Sequence, residues 1–216
     1  MSRSRTGAER SPVVVAITDP WWPDGHLLRI VGVASRVLPR GALVVQLRDK
    51  SGRDFEPFAR ALLEVVHPSG ARLVVNGDVD LAAAIGADGV HLGGERPELS
   101  RARAVLGDAA FISVAAHTGD DVTHAARGGA TAVLVSPIFE TPGKGPPRGV
   151  DALREAKERA NGALAIVALG GIDARRAAAC AAAGATGVAV MRALFDVQTE
   201  AEAEATALAL FAAFGP

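Results

Sequence analysis

The sequence predicts a single (β/α)8 TIM barrel, and three observations predict it. Short apolar runs recur along the chain, each followed by a stretch with helical spacing. The runs are apolar almost throughout, which is how strands read when both faces are buried in a parallel sheet covered by helices. Eight such units fit within 216 residues, the compact end for this fold. The rival is an open doubly wound sheet. Its dinucleotide-binding form needs a glycine-rich first turn, and here the first strand runs into "ITDPWWPDG".

In order, the expected strands are "VVVAI" (13–17), "ALVVQL" (42–47), "RLVV" (72–75), "DGVHL" (88–92), "AFISV" (110–114), "TAVLV" (131–135), "ALAIVAL" (163–169) and "GVAV" (187–190). Their β-branched content suits a pleated, buried surface. Between them, Ala-, Leu- and Arg-rich stretches carry helical spacing: "LLRIVGVASRVL", "FEPFARALLEVV", "VDLAAAIG", "ELSRARAVLG", "DDVTHAARGG", "VDALREAKERA" and "ARRAAACAAAG". A last helix, "EAEATALALFAAF", closes the chain. Three segments, "GADGVHL" (86–92), "GGATAVLV" (128–135) and "AGATGVAV" (183–190), share one shape. In each, a helix ends at Gly and the chain drops straight into a strand. Residues 1–12, "MSRSRTGAERSP", are polar and lack an amphipathic apolar face, so a frayed tail is expected there and the barrel domain over 13–216.

Composition excludes several classes. With 49% apolar and 22% charged residues, the chain has the balance of a packed globular protein. A net charge of -1 gives no reason to expect nucleic acid or an anionic membrane as partner. No apolar run is long enough to span a bilayer. A lone cysteine, Cys180, rules out an internal disulfide and fits a reducing cytoplasm. Within "ARRAAACAAAG" it reads as a small buried residue rather than a nucleophile. A homo-oligomer is compatible with all of this.

Barrel chemistry sits just past the carboxyl ends of the strands. After strand two, Gln46, Arg48 and Lys50 alternate, so they share one side if the strand continues; an anion-binding cluster and solvated loop charges are both open. Asn76 and Gly77 follow strand three, as a ligand-holding amide or as a turn pair. His91 lies inside strand four, and His117 follows strand five, where a residue titrating near neutrality suits acid–base work. The long loop "SPIFETPGKGPPRG" after strand six carries Thr141, Lys144 and Arg148, which suit phosphate oxygens, beside Ser136 and Glu140. Gly170 and Gly171 after strand seven permit close backbone approach. With Met191 and Arg192 after strand eight, they mark the place where barrels frequently hold phosphate. A phosphorylated small molecule is the expected ligand.

The ordered set "QLRDK", "VVNGDVDLA", "GADGVHLG", "AAHT", "SPIFET-x-x-K", "GVDAL", "ALGGI" and "GATGVAVM" resembles the thiamine phosphate synthase / thiazole tautomerase family, from about Val14 to Leu194. The resemblance implies a barrel enzyme of thiamine biosynthesis. It places Gln46, Arg48, Lys50, Thr141 and Lys144 toward a diphosphate with Asn76 nearby, and Gly171, Met191 and Arg192 at a thiazole phosphate. Synthases of the family hold Mg²⁺ with an Asp after the strand-three Asn and another in a Gln-Glu-Asp stretch after strand four. Here those positions read Asn76-Gly77 and Gly94-Glu95-Arg96. The synthase-type Ser is Ala115, and one loop Thr is Gly143. The tautomerase branch is similar where the synthase pattern fails, with Asn-Gly, "FET" and a His after strand five. The expectation is therefore a metal-independent, cofactor-free thiazole tautomerase with His117 as proton shuttle. Thiamine phosphate synthase, which would need Mg²⁺, is the alternative reaction, and a non-catalytic binder of thiazole or thiamine phosphate is the third reading.

Overall fold

The computed structural model describes residues 13–93 and 98–215. Its strands are β1 (Val13–Ile17), β2 (Leu43–Leu47), β3 (Arg72–Asn76), β4 (Gly89–Leu92), β5 (Phe111–Ala116), β6 (Ala132–Val135), β7 (Ala165–Leu169) and β8 (Gly187–Val190). All neighbours pair in parallel, and β8 closes on β1, so the sheet is a closed barrel in sequence order. The helices are α1 (Asp24–Val37), α2 (Glu56–Val66), α3 (Val79–Ile85), α4 (Leu99–Leu106), α5 (Gly119–Arg127), α6 (Asp151–Ala160), α7 (Ala174–Ala182), α8 (Arg192–Phe195) and α9 (Glu200–Ala212). The expected tail at 1–12 and the expected metal position at Gly94-Glu95-Arg96 lie outside the described residues.

Strand alternation creates two cores. Outward side chains such as Val14, Val45, Val75 and Ile166 pack under the helices. Inward ones, including Val13, Val15, Val44, Val74, Phe111, Ala132 and Val167, fill the barrel. Two strand glycines make that lumen possible. A Cβ on Gly89 would fall on the Phe111 carbonyl oxygen, and one on Gly187 on that of Val13. Cys180 is fully buried in α7, and burial pushes its thiol up to about 11, which suits a packing role. Among the described residues no helix is long and apolar enough to cross a membrane.

Candidate active site

Towards the carboxyl ends the lumen changes character. Two residues beyond Val44, Val74, Gly89 and Phe111 stand Gln46, Asn76, His91 and Ser113, which keep the inward parity of their strands. Asn76, His91 and Ser113 are register partners across β3, β4 and β5. The Asn76 amide donates to Gln46 Oε1 at 2.9 Å, and His91 Nδ1 meets Ser113 Oγ at 2.9 Å. Gln46 is 2% exposed, and its Nε2 has no hydrogen-bond partner among the described residues. Burial pushes the His91 imidazole down to about 4, so it is neutral at physiological pH. On the opposite side the lumen stays apolar, with Ile17, Leu134, Val167 and Ala189, and Leu169 and Met191 above them. One half of the barrel mouth is a polar tier and the other is a hydrophobic wall.

His117 stands one residue past β5, exposed, at the entrance to α5. Thr118 caps that helix in a reciprocal pair with Asp121, whose carboxylate also accepts from the His117 N–H at 2.7 Å. Burial raises the Asp121 pKa, but these hydrogen bonds outweigh it and hold the carboxyl below its usual value. The His117 ring points Nδ1 at the Ser136 carbonyl, 3.0 Å away. A carbonyl only accepts, so Nδ1 carries the proton and the neutral ring leaves its lone pair on Nε2. This is the tautomer a general base needs.

Arg48 lies one residue past the end of β2 and is paired with the exit of β1. β2 ends at Leu47, the Arg48 N–H turns to Thr18 Oγ1, and its guanidinium reaches Asp19 at 2.5 Å. Lys50 is exposed on the loop beyond. That loop is pinned by Arg53, which holds Asp49 and Asp24 at 2.7 Å each.

The strand-six loop folds onto the exit of β7. The Ile138 and Phe139 N–H groups donate to the Leu169 and Gly170 carbonyls. Thr141 Oγ1 would lie 3.0 Å from a Cβ on Gly170. At Gly171, where φ is +62°, a Cβ would come within 2.7 Å of the Glu140 carbonyl oxygen. The two glycines thus admit the strand-six loop. The Gly171 N–H makes no hydrogen bond among the described residues. Arg176, which the sequence reading passed over, donates to the Gly171 carbonyl at 2.6 Å and stacks on the Phe139 ring at 4.9 Å. With Glu140, Thr141 and Lys144 it lines a surface cavity of about 690 Å³. A second cavity, of about 670 Å³, lies between α1 and α2 and holds none of these groups. Arg192 is exposed at the start of α8.

The structure therefore brings Gln46 to Asn76, His117 to Ser136, and Thr141 to Gly170. It leaves Lys50, Lys144 and Arg192 as exposed cations around the mouth. The metal position after β3 does not fit Mg²⁺, which takes oxygen ligands. Gly77 offers no side chain, and the next residue, Asp78, turns one carboxylate oxygen to cap α3, accepting from the Leu81 N–H at 2.8 Å. Among the described residues no three His, Cys, Asp or Glu side chains cluster as a metal site.

A closed parallel barrel with a polar tier, a histidine and a long loop at its carboxyl end has the architecture of small-molecule barrel enzymes. Residues 14–194 match the family model described as thiamine monophosphate synthase, and the chain belongs to that family. It is 38% identical over 170 residues to a thiamine-phosphate synthase of Roseiflexus sp. strain RS-1, covering 76% of this chain and 71% of that one. With a thiamine-phosphate synthase of Methanoculleus marisnigri it shares 42% identity over 159 residues, 71% of this chain and 74% of the other. The fold resembles that of a thiamine phosphate pyrophosphorylase from Pyrococcus furiosus, with a TM-score of 0.76, 21% identity, and coverage of 94% and 95%. Both relatives carry the name of the transfer reaction that the sequence reading placed second, behind the tautomerase.

Proposed function

We propose that this chain works in thiamine biosynthesis on a phosphorylated thiazole, joining it to a pyrimidine diphosphate with release of pyrophosphate. The observation that carries this reading is its 37–42% identity to relatives named thiamine-phosphate synthase, together with Gln46, Asn76, Thr141 and Lys144 at the strand exits. In this reading the Gln46–Asn76 pair orients the pyrimidine end. The thiazole phosphate sits at the Gly171 N–H and the start of α7, where a helix N-terminus favours an anion. Ser136, Gly170, Met191 and Arg192 complete that side. Lys50, Lys144 and Arg48 supply positive charge as the diphosphate leaves. Holding both reactants in one mouth converts a bimolecular step into an effectively unimolecular one.

A second reading rests on a specific pair of features: Gly77 in place of a metal-binding carboxylate, and the His117 ring held with Nε2 free. They favour a metal-independent tautomerase, in which His117 takes a proton from one ring position of thiazole phosphate carboxylate and returns it at another. Each reaction has its own product. Purified protein is given the thiazole phosphate carboxylate tautomer, with and without pyrimidine diphosphate and Mg²⁺. Thiamine phosphate as product supports the transferase. Aromatised thiazole phosphate carboxylate alone, indifferent to Mg²⁺ and reduced roughly a hundredfold or more in His117→Gln, supports the tautomerase. Binding with no product in any arm removes both and leaves a non-catalytic binder.

A further inference from the structure

Arg176 occupies a place that local rules disfavour. It lies in the first turn of α7, beside Arg175, where the helix macrodipole repels a cation. A residue that breaks such a rule calls for a compensating contact, and Arg176 has two. Its guanidinium donates to the Gly171 carbonyl at 2.6 Å and lies over the Phe139 ring at 4.9 Å. The first contact is to the exit of β7, the second to the strand-six loop. One planar side chain therefore bridges three elements: α7, the β7 exit, and the loop that carries Thr141 and Lys144. A guanidinium suits this because its fork donates in plane while its face stacks on the aromatic ring.

We propose that Arg176 is a positioning residue: it clamps the strand-six loop onto the strand-seven glycines, and so holds Thr141 and Lys144 over the phosphate of the substrate. The proposal deepens the reading of a phosphorylated substrate and rests on it for its consequence in turnover. The clamp itself can be read without turnover.

The loop contains a tryptic bond, Lys144–Gly145, next to exposed Gly143 and Pro146. Its cleavage rate reports how often the loop leaves the barrel. The full-length protein and the variants Arg176→Gln, Arg176→Lys and Arg175→Gln are digested under native conditions, with the cut after Lys144 followed by mass spectrometry. Arg176→Gln is expected to speed that cut by about five- to fiftyfold, the size of a lost hydrogen bond and cation–π contact together. Arg176→Lys keeps a donor but loses the planar stack, so it should fall between. Arg175→Gln removes the same charge from the same helix turn and should leave the rate alone. Inorganic phosphate should slow the cut in the unaltered protein and less so in Arg176→Gln. Thermal melting separates a local effect from a global one. Equal rates in Arg176→Gln and the unaltered protein overturn the clamp, as does an acceleration shared by cut sites remote from the loop. In turnover, a positioning role predicts that Arg176→Gln raises KM for the phosphorylated substrate more than it lowers kcat. If no substrate is turned over, the reaction reading fails and the proteolysis result still stands.

Discussion

The two helices that begin beside the mouth after β5 and β7 are built on opposite principles. α5 satisfies itself: Thr118 and Asp121 form a reciprocal cap, and Asp120 and Asp121 put negative charge where the dipole wants it. α7 has a single cap, Asp173, and then two arginines. The β5 side is closed by its own acids, and its histidine ring is fixed by a backbone carbonyl. The β7 side pairs positive charge with a Gly171 N–H that makes no hydrogen bond among the described residues. One end of the mouth is finished by its own acids, whereas the other leaves two arginines beside a backbone N–H. The proposed function puts phosphate at the second end, and the proton chemistry of its alternative at the first.

The contrast breaks most sharply at glycine. Gly171→Ala places a Cβ at a φ of +62° and within 2.7 Å of the Glu140 carbonyl oxygen, at a conformational cost of about 1–2 kcal/mol before the clash is counted. The strand-six loop must lift. The expected result is a KM for the phosphorylated substrate raised at least about tenfold and a Tm lowered by roughly 4 °C. The matching change on the β5 side, Gly119→Ala, meets only the movable ends of Glu155 and Arg159, inside a helix that favours Ala. It should leave KM within about twofold. Steady-state kinetics and melting on the two variants decide this, and equal effects at both glycines would erase the distinction.

Much of the arrangement was legible in the sequence, because strands buried on both faces write themselves as apolar runs. The observed strands begin and end within two residues of the expected ones. Gln46, Asn76 and His117 were legible as polar groups at strand exits. What was not legible depends on tertiary partners. β2 stops at Leu47, so strand alternation does not reach Arg48, and its partner Asp19 comes from the exit of a different strand. The Ser136 carbonyl that fixes the His117 tautomer comes from a different strand exit. α8 spans four residues, too short for a helical period to show. Arg176 did leave a signal: two adjacent cations in the first turn after the Asp173 cap, against the dipole.

Of intermediate size is a pH effect confined to the β4–β5 side. An imidazole titrates near 6.5 when unfolded, while burial pushes His91 down to about 4 in the fold. Between these values the unfolded chain binds more protons, so stability falls as pH drops from about 6.5 toward 4. One proton gives a slope of at most about 1.4 kcal/mol per pH unit. His91→Asn keeps a polar side chain beside Ser113 without the titration. Urea unfolding of both proteins at several pH values should show the variant losing less stability across this window, and parallel curves would remove His91 from the acid response.

The smallest expected effect tests the charge logic of α7 directly. Arg175 is exposed in the first turn and stands beside the clamp. Arg175→Glu makes α7 resemble α5, with negative charge at its start. The helix should gain about 0.3–1 kcal/mol, so the variant should melt slightly higher. Inorganic phosphate should bind about two- to fivefold more weakly at low salt, with the difference fading as ionic strength rises and surface charges are screened. A gain in stability with a loss in phosphate binding is what an anion-completed helix start requires, because the arginines oppose the helix alone and favour it once the ligand is present. Melting and phosphate titration that moved together would mean the cations serve the fold, and the β7 side would then be no more open than its neighbour.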